Sequence, residues 1–319
     1  MIENMALTPQ EVAEILKIAK NTVYELIKRG DLNGYKVGKK IRVDLEDVEE
    51  YNNRSKNKNL VFSNKSTSAL FSSSESNILS VANSNNDFVI CGQDILLDIL
   101  SKYLEIHPHG IKPLRSYTGS YNGLTALYLD KIQVATVHLW DGDSDEYNIP
   151  YVRRLLPGIP TVIINISYRM QGFYVAKGNP KNIKNWDDLK RPDITIINRE
   201  KGSGTRILLD EHLRLLEIDS GSINGYNKEC LTHLAAANTV ARNEADVAVG
   251  NDKNSLQVNN IDFIPLTRER YDLVIKKEDL KKPEFQAMLE ILKSNIFKKE
   301  IQGIGGYDIS DIGNIVAEV

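Results

Sequence analysis

The sequence predicts an α/β protein in which a small helical unit precedes a larger domain of alternating strands and helices. Two capped helical patterns and a basic pair of short strands occupy the first fifty residues, and a stretch rich in serine and asparagine follows. From Phe88 onward, apolar strands alternate with amphipathic helices. We therefore divide the chain into residues 1–52, a linker at 53–86 and a larger domain at 87–319.

The composition is that of a globular chain long enough for more than one domain. Of its 319 residues, 41% are hydrophobic and 26% are charged, and the formal net charge is −3. Any contact with nucleic acid therefore requires a local basic patch. Cys91 and Cys230 lack metal-ligand spacing, so we predict neither a disulfide framework nor a metal site. Without a signal-peptide pattern or a long apolar run, we expect a cytoplasmic protein with no membrane partner.

Residues 5–52 have the pattern of two helices followed by a two-stranded wing. Thr8, Pro9 and Glu11 form a capping-box start, and the second helix covers residues 20–29. Residues 32–43 predict two short strands, and Asp44 begins a last helix through Tyr51. Polar and basic side chains on the second helix and the wing suit contacts with bases and phosphates. The predicted DNA contacts are Lys20, Asn21, Thr22, Tyr24, Lys28, Lys36, Lys39, Lys40 and Arg42.

This segment resembles the excisionase and MerR-like winged helix-turn-helix family. The matching stretches are residues 8–13, 22–27, 30–32, 37–38 and 44–48. Family members often have serine where this chain has Ala19, a change that weakens the helix cap by ~1 kcal/mol. The resemblance implies a double-stranded DNA operator as partner. Because one such unit contacts few base pairs, we expect a homodimer.

The linker is dominated by serine and asparagine and is interrupted by two apolar clusters, residues 60–62 and 69–71. This composition favours a flexible tether. The alternative is a linker that becomes ordered in a dimer.

In the larger domain, polar residues follow the ends of predicted strands. In open α/β sheets, ligands bind at the carboxyl ends of strands, often on the amides of helix N-termini. The first predicted strands end near residues 91, 117 and 139, and a long extended stretch at 160–176 is a predicted crossover. The candidate ligand contacts in this half are Gln93, Thr118, Ser120, His138, Asp141 and Arg169.

A second group of candidates follows the predicted strand at 194–198. Residues 202–205, Gly-Ser-Gly-Thr, form a strand-to-helix turn with free backbone N–H groups and two hydroxyls. The Gly-Lys-Ser/Thr ending of a P-loop is absent. Further strands are predicted at 245–250, 261–266 and 271–275. The candidate contacts in this half are Arg199, Ser203, Gly204, Thr205, Arg206, His233 and Asn251.

The domain at 87–319 resembles the type II periplasmic-binding-protein superfamily. The resemblance lies in the residues near Ser120 and in residues 138–141, 151–158, 198–206, 232–233 and 245–246. It implies two lobes joined by crossover strands, lobe 1 at about 87–168 plus the C-terminal segment and lobe 2 at about 172–265. It also implies a small anion as ligand, either molybdate or tungstate or a molybdenum or tungsten pterin cofactor.

These features predict a ligand-responsive transcriptional regulator with no catalytic cofactor. The five histidines form no metal-spaced cluster, and Ser120 and Ser203 lack a nucleophile-elbow sequence. We therefore expect no enzyme activity. The alternatives are a cytoplasmic protein that stores or delivers the anion, or an enzyme that acts on it.

Overall fold

A computed structural model describes residues 6–29, 32–38, 40–45, 47–48, 51 and 87–319 of the chain. Its contacts divide the chain into two units, Met1–Glu75 and Ser76–Val319. The predicted linker at 53–86 and its two apolar clusters lie outside the described residues.

The first unit has two helices and a three-stranded sheet with the order β1-β3-β2. Thr8 and Glu11 form the predicted capping box, because the Thr8 hydroxyl accepts from the Glu11 N–H and the Glu11 carboxylate accepts from the Thr8 N–H. Buried side chains such as Val12, Val23 and Val43 join the helices to the wing. The elements are β1 (Ala6–Leu7), α1 (Pro9–Leu16), α2 (Lys20–Arg29), β2 (Tyr35–Val37) and β3 (Lys40–Asp44).

Two details of this unit differ from the sequence-based prediction. Strand β1 pairs with the end of β3 and was not predicted, because two residues are too few for a periodic pattern. Helical spacing from Val12 predicts Ile15 on the same apolar face of α1, but Ile15 lies exposed, while Val12 and Ala13 are buried. Of the predicted last helix, Leu45, Asp47, Val48 and Tyr51 are described and are helical.

The second unit is built on a seven-stranded mixed sheet with the order β12-β9-β13-β6-β4-β5, in which β14 also pairs with β9. The strands β4, β5 and β6 are parallel, so their carboxyl ends lie at one edge. The sheet strands are β4 (Val89–Cys91), β5 (Leu114–Ser116), β6 (Val134–Val137), β9 (Thr161–Ala176), β12 (Val247–Asn251), β13 (Ile261–Lys276) and β14 (Ile315–Glu318); the small strands are β7 (Trp140–Asp141), β8 (Glu146–Tyr147), β10 (Asn198–Arg199) and β11 (Glu229–Cys230).

The helices pack on both faces of this sheet. Several of them begin directly after a strand, with a capping side chain from Asp94, Ser203 or Thr232. They are α3 (Ile95–Ile106), α4 (Ser120–Tyr128), α5 (Ile149–Leu155), α6 (Gly204–Leu215), α7 (His233–Ala241), α8 (Asp252–Ser255), α9 (Pro283–Lys293) and α10 (Asn295–Ile304), with short 3₁₀ turns at Trp186–Lys190, Ser220–Ser222 and Lys277–Lys281.

The long strands β9 and β13 join two lobes. Lobe 1 contains β4 to β8, the first half of β9, the second half of β13 and the C-terminal segment. Lobe 2 contains the remaining halves of both strands together with β10 to β12. Each lobe has apolar clusters on both sides of the sheet. The sequence predicts two separate strands at 261–266 and 271–275, but β13 is continuous, with register shifts at Pro265/Thr267 and Tyr271/Asp272.

The predicted strand at 194–198 is mostly absent. Ile194 and Ile196 are buried in the core of lobe 2, which explains the apolar run. Their backbone bonds, however, go to several different segments: Thr195 N–H donates to Asp246, Ile196 N–H to Asn224 and Ile197 N–H to Val247. Only the isolated bridge at Ile196 and the short β10 have strand pairing.

Candidate functional site

A cavity of about 260 Å³ lies between the two lobes of the second unit. Turns that follow strands line it from both sides, as the topology requires of parallel strand ends. Lobe 1 contributes the starts of α3 and α4 together with His138, and lobe 2 contributes the starts of α6 and α7 together with Asn251. Several helix N-termini therefore converge on one space, where their partial positive charges favour an anion.

All but two of the predicted ligand contacts line this cavity. They are Gln93, Thr118, Ser120, His138, Arg169, Arg199, Ser203, Gly204, Thr205, His233 and Asn251. Residues that the sequence did not single out line it too: Asp94, Thr136, Lys253, Tyr271 and Tyr307, with the aliphatic Ile95, Leu256 and Ile304.

Arg206 and Asp141 do not line the cavity, so these two predicted contacts need correction. The Arg206 guanidinium donates to Asp210, Glu229 and the carbonyl of Arg199, and it lies 4.2 Å from the ring centroid of Tyr226. The Asp141 carboxylate accepts from Ser144 and Arg154, and the Ser144 bond lowers its pKa. Both side chains therefore stabilise the segments that pack beside them and do not contact the cavity.

Thr205, in the first turn of α6, lines the cavity and has a buried hydroxyl. Its side chain is 2% exposed, and its Oγ1 has no hydrogen-bond partner among the described residues. The neighbouring Ser203 hydroxyl differs, because it accepts from the Arg206 N–H as the helix cap at 3.2 Å. A buried hydroxyl without a partner costs free energy that a ligand acceptor would offset.

His233 begins α7 and is another lining residue that has a buried polar atom without a hydrogen-bond partner. Its Nδ1 forms no hydrogen bond with any described residue. Burial, reinforced by the charges of Arg199, His138 and Arg169, lowers the pKa of this imidazole well below its usual value. His233 is therefore neutral near pH 7 and can donate one N–H to an anion.

The floor of the cavity is a buried network centred on Arg169 of β9. The guanidinium lies between Asp94 and Glu269, at 2.5 Å from each carboxylate, and 3.9 Å from the ring centroid of Tyr271. The contact with Glu269 Oε1 is an ion pair without the alignment of a hydrogen bond. His138 Nδ1 lies 2.9 Å from the other Glu269 oxygen. Burial alone would raise the pKa of Glu269, but Arg169 and His138 lower it to about 2.

The arginines of the cavity already have protein partners. Arg169 is compensated by two carboxylates, and Arg199 binds Glu200 through Nε and Nη2. Among the described lining residues Asp94 is the one carboxylate, and it accepts from Arg169, from the Tyr307 hydroxyl and from the Leu96 N–H. The groups left for a ligand are the Thr205 hydroxyl, His233 and backbone N–H groups, together with Lys253, whose described hydrogen bonds go to two carbonyls.

The two lobes touch each other around the cavity. The Tyr121 N–H of α4 donates to the Gly202 carbonyl at 3.0 Å, and Arg199 Nη2 donates to Gln93 Oε1 at 2.8 Å. Gly119 lies so close that a Cβ there would meet the Gly202 carbonyl oxygen at 2.7 Å. On another side, Lys253 donates to the carbonyls of Ile304 and Gly305. A ligand in this space would contact both lobes at once.

The sequence contained weak signals for the residues it missed. Asp94 follows a predicted strand and precedes a helix, the position of an N-cap. Glu269 lies between Arg268 and Arg270 in a strand, where alternation places it on the face opposite to both arginines. Sequence spacing alone does not show that these carboxylates meet Arg169.

The first unit presents the predicted DNA contacts on an exposed surface. Lys20, Asn21, Thr22, Tyr24 and Lys28 are exposed on α2, and the side chain of Lys40 is exposed on the wing while Arg42 is half-buried. Lys36 belongs to strand β2, and only its backbone is described. Lys39 lies outside the described residues. The helix and the wing therefore each present exposed polar or basic side chains of the kind that contacts phosphates.

Two further features of the described residues concern metal binding and membrane insertion. No group of His, Cys, Asp and Glu in this part of the chain is placed to hold a metal ion. Within the same residues, no helix has the length and apolar character needed to cross a membrane.

A helix-turn-helix unit together with a two-lobed α/β unit around an interlobe cavity defines a class of proteins with one DNA-binding domain and one ligand-binding domain. Family models agree with both parts: the model of the PBP superfamily domain matches residues 101–293, and that of a helix-turn-helix domain matches residues 6–55. The chain belongs to the PBP superfamily and carries an N-terminal helix-turn-helix domain.

Two bacterial relatives are similar in sequence. "Uncharacterized protein YvgK" of Bacillus subtilis (strain 168) is 41% identical over 320 residues, with 100% of both chains covered. A Clostridium pasteurianum protein, "Uncharacterized protein in ferredoxin 2Fe-2S gene 5'region", is 61% identical over 113 residues, which cover 35% of this chain and 100% of that protein. The first similarity extends over both units.

Solved structures share the fold at low sequence identity. A Clostridium perfringens protein with bound phosphate, described as a phosphate ABC transporter substrate-binding protein, has a TM-score of 0.52 at 14% identity and covers 70% of this chain and 99% of its own. An OxyR mutant of Corynebacterium glutamicum with bound H2O2 has a TM-score of 0.50 at 11% identity and covers 93% of this chain and 88% of its own.

Proposed function

We propose that this protein is a transcriptional regulator whose DNA binding responds to a small anion held between the two lobes. The observation that carries the proposal is the pair of buried, unpartnered polar groups, the Thr205 hydroxyl and His233 Nδ1, on the wall of the interlobe cavity. Both belong to the first turns of helices, where backbone N–H groups and the helix dipole favour negative charge.

The lining suits a tetrahedral anion. Asp94, the one lining carboxylate among the described residues, is occupied by three donors, whereas the Thr205 hydroxyl and the neutral His233 can each donate or accept. Molybdate and tungstate are fully ionised tetrahedral anions near pH 7 and need donors alone. They are our first candidates as sensed ligand; phosphate, bound in one structural neighbour, is a competing candidate.

The second candidate is a molybdenum or tungsten pterin cofactor. The cavity volume of about 260 Å³ lies just below the roughly 300–1,000 Å³ of pockets for drug-sized ligands. Its lining also includes the exposed aliphatic side chains of Ile95, Leu256 and Ile304. This combination of a polar floor and an apolar rim fits an anionic group attached to an organic body.

The proposed mechanism is stabilisation of the closed lobes by the ligand. Because the ligand contacts both lobes at once only in the closed state, binding favours that state by its differential affinity. The change in lobe arrangement would then alter how two helix-turn-helix units of a homodimer fit an operator.

A thermal-shift screen of the full chain tests the ligand half of this proposal. Molybdate, tungstate, sulfate, phosphate and a pterin cofactor are compared at equal concentration. A ligand present at 100 times its Kd stabilises the folded state by about 2.7 kcal/mol, so a tight binder stands out. Equal melting temperatures with every anion would contradict the proposal.

A gel shift with genomic fragments at two salt concentrations tests the DNA half. Specific DNA binding that changes when the anion from the screen is added supports a regulator. Anion binding without any DNA binding would instead favour the alternative, a protein that stores or delivers the anion.

A further inference from the structure

A hairpin of lobe 1 crosses to lobe 2 at a distance from the cavity. It comprises β7, β8 and the turn between them, residues 140–147, and it follows His138 in the chain. The backbone bond from Asn148 N–H to the Leu139 carbonyl anchors it to the core of lobe 1. Its first residue, Trp140, nevertheless packs against the core of lobe 2.

The contact is an aromatic stack of three rings. His212 of α6 lies between Trp140 and Trp186, with ring centroids at 4.5 Å and 4.3 Å and interplanar angles of 20° and 19°. Trp186 and His212 both belong to lobe 2, whereas Trp140 belongs to lobe 1. Burial in this stack lowers the pKa of His212, so the central ring is neutral near pH 7.

Polar contacts extend the stack along the hairpin. The Gly142 N–H donates to Glu211 Oε2 at 3.1 Å, and Arg214 pairs with Asp143 at 2.9 Å. A Cβ at Gly142 would meet Leu215 at 2.8 Å, which shows how closely the hairpin backbone approaches α6. The hairpin thus contacts the C-terminal end of that helix, from Glu211 to Leu215.

The stack and the cavity share the same helix. Thr205 lies in the first turn of α6 and His212 lies seven residues later, about 10 Å further along the axis. On the other side, His138 of the cavity lies two residues before Trp140. A relative movement of the lobes that opens the cavity must therefore also change the stack.

We propose that this contact, the Trp140–His212–Trp186 clasp, holds the lobes closed and so sets the affinity of the cavity for its ligand. Trp140 is in this sense a positioning residue that acts through lobe closure, the step on which the proposed function rests. The two tryptophans of the clasp are the only two in the chain.

Backbone hydrogen exchange of the full chain, without ligand or DNA, tests the clasp. Two amides bonded across the lobes are compared: Gly142, within the clasp, and Tyr121, at the cavity. In Trp140→Ala we expect exchange at Tyr121 to be about tenfold faster, because a lost aromatic pair shifts the open–closed equilibrium by that order. Trp140→Phe retains an aromatic ring and is the matched control that should restore slow exchange.

Faster exchange at Gly142 with no change at Tyr121 would overturn the proposal, because the hairpin would then detach without opening the cavity. No change at either amide would overturn it too. The amides of β4, in the core of lobe 1, report global unfolding. If Trp140→Ala does not fold, Asp143→Arg places two arginines opposite each other at exposed positions and should accelerate Tyr121 exchange in the same way.

The outcome is separable from that of the proposed function. Exchange is measured without anion or operator, so a negative result leaves anion and DNA binding to their own tests. A chain that binds no anion would still show whether the clasp closes the lobes.

Discussion

At the residue scale, the cavity depends on two groups that the fold leaves without a partner. Most buried polar groups in proteins are hydrogen-bonded, so an unpaired hydroxyl and an unpaired imidazole nitrogen on one wall are unusual. Thr205 and His233 come from different helices of lobe 2, and each lies at a helix start. Both residues line the interlobe cavity.

Thr205→Val should weaken anion binding while leaving stability unchanged or slightly increased. The substitution keeps the shape and removes a buried hydroxyl that has no partner in the described structure. A hydrogen bond to a charged group contributes about 1.5–3 kcal/mol, so we expect roughly 10- to 100-fold weaker binding of tungstate by calorimetry. Thr239→Val, whose hydroxyl donates within α7, is the control. Unchanged tungstate affinity in Thr205→Val would exclude this contact.

His233 should make the protein less stable as the pH falls below about 6.5. Its folded pKa is lowered by burial and by Arg199, His138 and Arg169, whereas in the unfolded chain it titrates near 6.5. Between these two pKa values the unfolded state binds more protons, so stability decreases as the pH decreases. In His233→Gln this part of the pH dependence should be absent, as measured by denaturant unfolding between pH 8 and pH 5. Parallel stability profiles of the two proteins would contradict the assignment.

The local roles of single residues were easier to predict from the sequence than the directions in which their side chains point. The glycine-rich turn at 202–205 identified the start of α6 correctly, because Ser203 caps the helix. Arg206 illustrates the limit. It directly follows the turn that lines the cavity, but its side chain binds Asp210 and Glu229 instead of pointing into the cavity. Glu229 is distant in sequence, so local spacing does not reveal this competition.

At the element scale, glycines permit the close approach of the lobes. Gly119 precedes α4 in an extended conformation that any residue can adopt. A glycine is needed at this position because the backbone of Gly202 and Ser203 from the other lobe leaves no space for a Cβ. Gly204 has the same role toward the ring of His138.

Gly119→Ala should prevent full closure without unfolding lobe 1. The added Cβ would lie 2.7 Å from backbone atoms of Gly202 and Ser203, and backbone cannot move aside as a flexible side chain can. We expect tungstate binding to weaken by a factor on the order of ten or more, measured by calorimetry. Gly303→Ala, where a Cβ meets nothing within 4 Å, is the matched control. Full affinity in Gly119→Ala would contradict closure at this point.

Elements with strong periodicity were predictable, and those defined by distant pairing were not. The helix that begins at Ile95, for example, has signals that are local in the sequence, an Asp94 cap and an apolar stripe. The 16-residue length of β13 depends on β9, its ladder partner along nearly the whole strand. The polar stretch from 267 to 270 hides this continuity, because it separates the two apolar runs of the strand.

At the scale of the whole molecule, a nearly neutral chain combines a basic surface with a balanced cavity. The net charge of −3 averages over two units with different tasks. In the cavity the charge of Arg169 is compensated by Asp94 and Glu269, and Lys253 adds a positive charge to the lining. DNA binding by the first unit, in contrast, would require the uncompensated positive charge of its exposed lysines.

DNA binding by the full chain should therefore depend steeply on salt, and Lys40→Ala should reduce that dependence. Each phosphate contact releases counterions, so removing one should lower the slope of log K against log salt by about 1 and weaken binding to all sequences alike. Lys102→Ala, an exposed lysine in the second unit, is the control. An unchanged slope in Lys40→Ala, measured by fluorescence anisotropy, would remove Lys40 from the interface.

The two-part organisation was predictable from sequence because each part has its own local signature. The closed arrangement of the lobes was not, since it depends on contacts such as Tyr121 with Gly202, some eighty residues apart in the chain. Ligand identity depends on the positions of a few atoms around one cavity, and the residue types alone do not give those positions.

The β9–β13 ladder limits which changes in chain length this protein tolerates. Arg169 and Glu269 are directly opposite each other in the ladder, and their pairing puts both side chains on the cavity face. Because side chains alternate along a strand, inserting or deleting one residue within either strand would turn that residue away and leave its partner's charge buried alone. The exposed loop after β9, near residues 177–182, has no such constraint. Insertions and deletions among homologues are therefore expected in that loop and not within the two long strands.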